Sequence, residues 1–175
     1  HGEATHVDRG VVGHLATALV HAIRNPIDHG LESAAERAAR GKPEHGTITL
    51  TAERSGNEIA IEVADDGGGI KTELVRQHAV KMGLIEQTAV LSDKEINALI
   101  FRPGFSTADR VTTVSGRGVG MDAVNSALRA LRGKAEVTSQ PGRGTSVRLV
   151  FPVSLAAVEG LVVRVGASRL IIPVY

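Results

Sequence analysis

The sequence predicts an α+β fold, a two-layer α/β sandwich in which a mixed β-sheet carries helices on one face. Two observations lead to this prediction. Apolar residues recur at helical spacing in some segments, and they alternate with polar residues on both sides of a turn in residues 47–63. The order of these segments, a helix, two strands, helices and two strands, favours one sheet covered by helices. With 175 residues, the chain has the size of one domain.

The first helix is predicted over residues 11–27. Its apolar positions recur at three- and four-residue steps: Val11, Val12, Leu15, Leu19, Ile23 and Ile27. Its polar positions are predicted to project from one other face: His21, Asn25, Asp28, His29 and Glu32. Pro26 lacks the amide that would bond to the carbonyl of Ala22. The helix is therefore expected either to kink and free a carbonyl near His21, or to consist of two pieces that meet at Asn25.

The middle of the chain contains a predicted hairpin and two predicted helices. Residues 33–46 indicate a helical turn and a loop, and residues 47–63 alternate on both sides of a Ser-Gly-Asn turn. A helix over 71–82 is expected to end at Gly83. The next helix is expected to begin at a capping box, Ser92 with Glu95, and to end near Phe101.

A further helix and two pairs of strands complete the prediction. The helix presents the apolar face Met121, Val124, Leu128 and Leu131, and Gly133 closes it. Strands over 135–139 and 145–151 are joined by the turn at 140–144. The strands predicted at 161–165 and 170–172 have too little chain around them to form a domain.

Composition excludes several classes of function. Aromatic residues make up 2% of the chain and the formal net charge is +1, so neither base stacking nor a basic field favours a nucleic-acid partner. The absence of Cys excludes disulfides, thiolate zinc sites and cysteine nucleophiles, and it fits a reducing compartment. The apolar stretch 149–163 is interrupted by polar residues and Pro152, so no membrane insertion is expected. The chain opens on His1 instead of Met, which favours a piece of a longer protein.

Four segments are candidates for chemistry. The polar stripe of the first helix carries Asn, Asp and His, which ligate metals or move protons, although a solvated helix face is the alternative. Residues 65–69, Asp-Asp-Gly-Gly-Gly, allow a ligand to approach the backbone, and their alternatives are a tight turn or a surface calcium loop. Residues 115–121 place alternating glycines before a helix, which suits an anion, with a flexible linker as the alternative. Residues 142–145 read alone as an ordinary hairpin turn.

Taken in order, these segments resemble the N, G1, F, G2 and G3 boxes of the GHKL ATPase and histidine kinase superfamily. The amino-acid sequence of these motifs is most similar to the chemotaxis histidine kinase family CheA, in residues 19–30, 101–107 and 115–122. The resemblance covers about residues 5–153. It implies a Bergerat-type ATP-binding domain over residues 1–153 with a long lid over 84–115. Residues 154–175 resemble the start of a CheW-like regulatory domain.

The resemblance implies a site for ATP and Mg²⁺. Asn25 and His21 are its implied catalytic and metal-contacting residues; Asn25 offers an amide oxygen to Mg²⁺, and His21 polarises the incoming nucleophile or contacts Mg²⁺ and the γ-phosphate. The residues implied to bind ATP are Asn25, Asp28, His29, Asp65, Gly67, Gly69, Ser115, Gly116, Arg117, Gly118, Val119, Gly120, Met121 and Thr145. Among them Asp65 takes the adenine amino group and Thr145 completes the adenine pocket. Phe101 and Phe105 belong to the implied lid and are expected to anchor a mobile loop rather than to fill the core.

The implied reaction is transfer of the ATP γ-phosphoryl group to a His on a separate phosphoacceptor domain, in cytoplasmic chemotaxis-type two-component signalling. The implied partners are that domain, a CheW-like adaptor, chemoreceptors, a response regulator and a second copy in a homodimer. One alternative is a degenerate, non-catalytic adaptor module, because Pro26 is unusual and Leu74 and His78 stand where relatives often carry basic side chains. The other is an ATP-hydrolysing machine of the gyrase or Hsp90 type, which the absence of a carboxylate at His21 disfavours.

Overall fold

A computed structural model describes residues 9–105, 121–153, 160–166 and 168–173. Its α-helices are α1 (Arg9–Asn25), α2 (Ala34–Ala39), α3 (Thr72–Lys81), α4 (Asp93–Ala98) and α5 (Met121–Ala130). Its strands are β1 (Ile48–Ser55), β2 (Glu58–Asp65), β3 (Lys134–Gln140), β4 (Gly144–Pro152), β5 (Gly160–Val165) and β6 (Ser168–Pro173). A π-helical turn over Pro26–Gly30 follows α1, and a 3₁₀ turn over Leu99–Phe101 follows α4. The α+β class and the predicted elements are thereby confirmed.

The main sheet is antiparallel, so the mixed sheet that we predicted is wrong for the described strands. Its four strands lie in the order β1-β2-β4-β3, and each neighbouring pair runs antiparallel. The two sequence-adjacent pairs are hairpins, which forces them to be antiparallel. The long connection through α3, α4 and α5 then returns β4 beside β2 in the opposite direction. This pairing makes β2 and β4 the two central strands, with their loop ends side by side.

The core lies between one face of this sheet and the helices. Register pairs Ile59 with Phe151 and Ile61 with Leu149 on the covered face of β2 and β4. All four of these side chains are buried, as period-two alternation predicts. The helical side of the same cluster comes from α1 and α5, through the buried residues Val11, Leu15, Ala18, Met121, Val124, Leu128 and Leu131. The predicted apolar face of the last helix is thereby confirmed.

The predicted apolar face of α1 is partly wrong. Val12 is 50% exposed and Ile27 is 60% exposed, whereas Ala18 and Ala22 are buried. The buried stripe follows the small residues because α1 packs closely along α5, and alanine allows two helix backbones to approach. Val11 and Leu15 of the predicted face are buried and Leu19 packs against the same cluster, so periodicity identified this face in part and missed its alanines.

The helical geometry of the chain changes at Pro26, in agreement with our second expectation, that of two helical pieces. The α-helix ends at Asn25, and the next turn closes with the bond from the Leu31 amide to the Pro26 carbonyl, 2.8 Å long and spanning five residues. Pro26 has no amide to continue the α-helical ladder, so the wider turn begins there. The two pieces meet at Asn25.

Two aromatic side chains of the predicted lid are core residues. Phe101 is buried in the main cluster, and Phe105 is buried with Val75, Ala79 and Ile96 in a second cluster under α3 and α4. The ring of His78 meets that of Phe105 edge-on, with centroids 5.1 Å apart. The expectation that these Phe residues anchor a loop rather than fill the core is therefore wrong, because both side chains are buried in apolar clusters.

The last two strands form a separate antiparallel hairpin, with Val163 opposite Leu170. Six of its large apolar side chains are exposed: Leu161, Val162, Val165, Leu170, Ile171 and Ile172. A lone two-stranded hairpin is marginally stable in water, so these two strands do not by themselves establish a second domain. The division of the chain after residue 153 stays a prediction. In the part of the chain that the structure describes, every helix is too short or too polar to span a bilayer.

Candidate functional site

The site is built where three segments meet at the loop ends of β2 and β4. The loop 65–69 follows β2, the π-helical turn ends at Gly30, and the turn 140–144 precedes β4. The Gly68 amide donates to the Gly30 carbonyl over 2.8 Å, and the Gly142 amide donates to the Gly68 carbonyl over 2.8 Å. These two bonds fix the loop between its two neighbours.

Glycine is required at this junction because backbones touch. A Cβ on Gly67 would lie 2.1 Å from the Gly30 carbonyl oxygen, and one on Gly69 would lie 2.5 Å from the Gln140 carbonyl oxygen. Contacts of this length are impossible for carbon and oxygen that are not bonded. The glycines predicted from the resemblance therefore serve the fold of the loop itself, and they leave its surface without side chains.

Asp65 ends β2 with its carboxylate partly buried against this loop. Its Oδ1 accepts from the Gly67 amide over 2.9 Å, and the carboxylate is also hydrogen-bonded by the Thr145 amide. The Thr145 hydroxyl lies 3.1 Å from that of Ser139, which in turn accepts from the Ile70 amide. Burial raises the pKa of Asp65 above its ordinary value of 3.8, against the effect of the two amides. The structure thus brings Asp65, Gly67 and Thr145 together, as predicted.

Asn25 lies at the end of α1, where it meets the start of α5. Its amide nitrogen donates to the sulfur of Met121, so two residues that we predicted for the site are in contact. His21 precedes Asn25 by one helical turn and is half-buried. In the described residues, no group of three or more His, Asp or Glu side chains is arranged to hold a metal ion.

The polar stripe does not lie on one face, and this part of the prediction is wrong. Asp28 is exposed and lines a shallow groove together with Ile23 and Ile27, on the side that we expected to be apolar. His29 is exposed as well. The five-residue hydrogen bond of the π-helical turn changes the angular step after Pro26, so the α-helical spacing no longer holds there.

Six predicted site residues lie outside the described part of the chain: Ser115, Gly116, Arg117, Gly118, Val119 and Gly120. Their roles stay predictions. Residues 106–115 of the predicted lid also lie outside the described part of the chain.

Sequence reasoning missed a cluster of charges behind the loop, which we call the Arg37 cluster and define as Glu32, Arg37, Lys42 and Asp66. Arg37 is completely buried, and it donates to both carboxylate oxygens of Asp66, over 3.1 and 2.9 Å. Lys42 and Arg37 also bind Glu32, over 2.9 and 3.3 Å. One signal was available: Ser33 and Glu36 form a capping box that starts α2, the same pattern that identified α4. It locates the helix but not the buried face.

The two adjacent carboxylates have opposite electrostatic environments. Burial by itself raises the pKa of Asp66, but hydrogen bonds from Arg37 and the Thr47 amide outweigh it and hold that pKa below 3.8. The hydrogen bonds described for the Asp65 carboxylate come from the Gly67 and Thr145 amides and not from a cation, and burial raises its pKa. Neighbouring acids whose pKa values diverge in this way serve different roles. Asp66 belongs to the internal structure of the loop, and Asp65 faces the site.

The lowered pKa of Asp66 predicts a loss of stability in acid. Below pH 3.8 the unfolded chain takes up this proton before the folded chain does, so the stabilisation is present above pH 3.8 and is lost as the pH falls toward the lower pKa of the folded state. We expect the urea midpoint of the parent to fall more steeply below pH 3.8 than that of Asp66→Asn. Glu44→Gln, in an exposed loop, is the control and should follow the parent. Parallel curves for the parent and Asp66→Asn would contradict the prediction.

The model of the family described as "Histidine kinase-, DNA gyrase B-, and HSP90-like ATPase" matches residues 12–155. The chain belongs to this family. The match runs from α1 to just past β4, and it includes every described residue of the site at the loop ends of β2 and β4. The suspected resemblance to the GHKL superfamily, and with it the ATP-binding α+β fold, is confirmed.

Within this family the chain is similar to proteins named "Chemotaxis protein CheA". It is 48% identical over 172 residues to the one from Rhizobium meliloti (strain 1021), covering 98% of this chain and 23% of that protein. It is 47% identical over 173 residues to the one from Cereibacter sphaeroides, covering 99% of this chain and 25% of that protein. The chain therefore spans about a quarter of the length of these relatives.

A solved structure, the nucleotide-free catalytic domain of the histidine kinase ThkA, superposes with a TM-score of 0.49 and 20% identity, over 84% of this chain and 69% of that one.

The described residues fit the adenine end of the nucleotide that an ATPase of this family binds. A half-buried carboxylate with a raised pKa lies beside a glycine loop, in which a Cβ on Gly67 or Gly69 would meet backbone. Asn25 supplies an oxygen donor of the kind that Mg²⁺ prefers.

Proposed function

We propose that this chain is the ATP-binding catalytic domain of a protein histidine kinase of chemotaxis-type signalling. The reaction is transfer of the γ-phosphoryl group of ATP to a His side chain on a phosphoacceptor domain. The observation that carries the proposal is the partly buried Asp65 carboxylate, held by two amides at the end of a core strand and followed in its loop by three glycines. Membership of the ATPase family and 48% identity to a protein named CheA support it.

In this proposal the nucleotide is read from its adenine end by Asp65. The carboxylate accepts a hydrogen bond from the exocyclic amino group, and Gly67 and Gly69 let the ring lie against backbone. Thr145 closes the pocket beside Asp65, where its amide bonds the carboxylate and its hydroxyl pairs with Ser139. Residues 115–121 contribute the contacts to the phosphates. Asp28 and His29 are exposed in the π-helical turn, and their contact with ATP stays a prediction.

When MgATP is bound, ATP supplies the transferable phosphoryl group, and Mg²⁺ supplies positive charge that offsets the negative charge of the phosphates. Asn25 would hold Mg²⁺ through its amide oxygen, while its amide nitrogen donates to the sulfur of Met121. His21, one turn earlier, polarises the incoming imidazole of the substrate. Phosphoryl transfer passes through a loose transition state, so the placement of these side chains matters more than their basicity.

The wider setting follows from the same relatives. We propose that the whole protein works in the cytoplasm as a homodimer, with a phosphoacceptor domain, a CheW-like adaptor, chemoreceptors and a response regulator as partners. In this reading residues 1–153 form the catalytic domain and residues 154–175 begin a CheW-like domain. The exposed apolar side chains of β5 and β6 support the second assignment, because such a hairpin needs a sheet to complete its core.

The test is phosphotransfer from γ-labelled MgATP to a separately supplied histidine phosphoacceptor domain. Asn25→Asp is expected to reduce transfer at least about 100-fold, because it replaces a neutral oxygen donor with a negative charge beside a polyanion and removes the N–H that contacts Met121. Circular dichroism and urea unfolding check that the variant folds.

Asn57→Asp is the matched control, since it makes the same chemical change in the exposed turn between β1 and β2 and should transfer like the parent. Undiminished transfer by Asn25→Asp contradicts the assigned role of that residue. A parent that binds no ATP in the presence of Mg²⁺ supports the non-catalytic module instead. Steady hydrolysis without any acceptor supports the gyrase-type alternative.

A further inference from the structure

We propose that Arg37 and Lys42 are positioning residues for nucleotide selectivity, which they set by fixing the peptide group that orients the Asp65 carboxylate. This inference rests on the proposed function. It adds two residues that touch no nucleotide but determine how sharply the site distinguishes the adenine amino group.

The first step is the grip on Asp66. The Arg37 guanidinium donates through one nitrogen to Oδ1 over 3.1 Å and through the other to Oδ2 over 2.9 Å. The Thr47 amide donates to Oδ1 over 2.9 Å. A two-pronged bond to a carboxylate fixes both its position and its plane. Asp66 is thereby held with its side chain pointing away from the site.

The second step is the peptide group between Asp66 and Gly67. Its carbonyl oxygen accepts from Lys42 over 2.8 Å and from Arg37 over 3.3 Å. Its N–H, at the other side of the same plane, donates to Asp65 Oδ1 over 2.9 Å. Because a peptide unit is rigid and planar, cations that hold the carbonyl also fix the direction of the N–H. The bonds also polarise the group and strengthen it as a donor. Arg37 and Lys42 therefore act on Asp65 through one plane of atoms.

The third step is that both cations are themselves held. The Arg37 side chain is 1% exposed, and it also donates to the carbonyl oxygens of Pro43 and His45, over 2.7 and 3.2 Å. Lys42 is anchored by Glu32, whose side chain is 7% exposed, and it also donates to the Gly67 carbonyl over 2.8 Å. A cation fixed at this many points cannot follow a moving carbonyl, so the peptide has one orientation.

The experiment compares the dissociation constants of two probes, ATP and purine riboside triphosphate, which is ATP without the 6-amino group. Their ratio is unaffected by partial unfolding, because both probes meet the same folded fraction. We expect the parent to prefer ATP at least about 10-fold, as for one hydrogen bond to a charged group. Arg37→Gln and Lys42→Met are each expected to reduce that ratio about 3-fold or more, mostly by weakening ATP. Arg37→Lys should restore part of it.

Arg40→Gln is the control, because Arg40 also binds Glu32, over 3.0 Å, from an exposed position and its hydrogen bonds do not include the Asp66–Gly67 peptide. It should keep the ratio of the parent. If Arg37→Gln does not fold, Lys42→Met decides, since its stem stays apolar and its site is nearer the surface. A ratio unchanged in the folded variants overturns this inference and leaves the proposed function intact. A parent that binds neither probe overturns the proposed function and the inference together.

Discussion

Asp65→Asn is expected to abolish ATP binding while the protein stays about as stable as the parent at pH 7. The carboxylate offers two oxygens to three donors, which are the amides of Gly67 and Thr145 and the adenine amino group. An amide offers one oxygen, so one donor then faces an NH₂ group. We expect affinity for ATP to fall at least about 100-fold, as for an unpaired polar group in a binding site. Calorimetric titration with MgATP measures it.

The stability half of this prediction follows from the raised pKa of Asp65. The folded chain takes up the proton at a higher pH than the unfolded chain, so stability falls as the pH rises from 3.8 through the pKa of the folded state. At pH 7 the charged form is therefore a liability, and removing the charge offsets the lost hydrogen bond. The urea midpoint at pH 7 should stay close to that of the parent. Glu58→Gln, at the exposed far end of β2, is the control for a carboxyl-to-amide change. Near-normal ATP affinity of Asp65→Asn would refute the role of Asp65.

Gly144→Ala is expected to cause the largest loss of stability, at least about 3 kcal/mol of unfolding free energy. A Cβ at this position would lie 1.9 Å from the Asp65 carbonyl oxygen and 3.1 Å from the Asp66 Cα. Both of these are backbone atoms of the neighbouring central strand or its loop, so no side chain can yield. The residue also has a φ of +117°, which alanine rarely adopts. Urea unfolding measures the loss, and MgATP binding should disappear with it.

Gly142→Ala separates the effect of space from that of backbone angle. It lies in the same turn with a φ of +75°, but a Cβ there meets nothing within 4 Å. It should cost only about 1 to 2 kcal/mol, the usual penalty for alanine in the left-handed region. Equal losses for the two variants would show that the turn's backbone angles, and not the contact with Asp65, determine stability.

The elements of this fold were readable from the sequence where local chemistry decides them. Alternation identified β1 and β2, the turn at 140–144 separated β3 from β4, the capping box at Ser92 began α4, and Pro26 marked the end of α1. The antiparallel sheet was not predicted, because the pairing of β2 with β4 depends on how three intervening helices return the chain. Periodicity identified Val11 and Leu15 on the packed side of α1 but not Ala18 and Ala22, because alanine carries a weak apolar signal.

The site divides in the same way. Asp65, Gly67 and Thr145 were found because a family's boxes place them, and the structure brings them together. The Arg37 cluster was not found, since a buried arginine in a short helix rich in alanine and charge looks like a solvated one. Its partner Asp66 lies 29 residues away in the sequence, so the contact is visible only in three dimensions.

The side-by-side loop ends of β2 and β4 have a consequence for how the protein acquires its site. Asp65 and Gly144 are far apart in the chain, and they touch only after the central strands have paired across three helices. Such non-local pairing forms late, because it must first overcome the entropy of closing a long loop. A nascent chain that already contains Asn25, Asp65 and the glycine loop therefore lacks the contact between Asp65 and Gly144. This contact forms with the β3–β4 hairpin, so only chains with a completed four-stranded sheet are expected to gain the free energy of ligand binding.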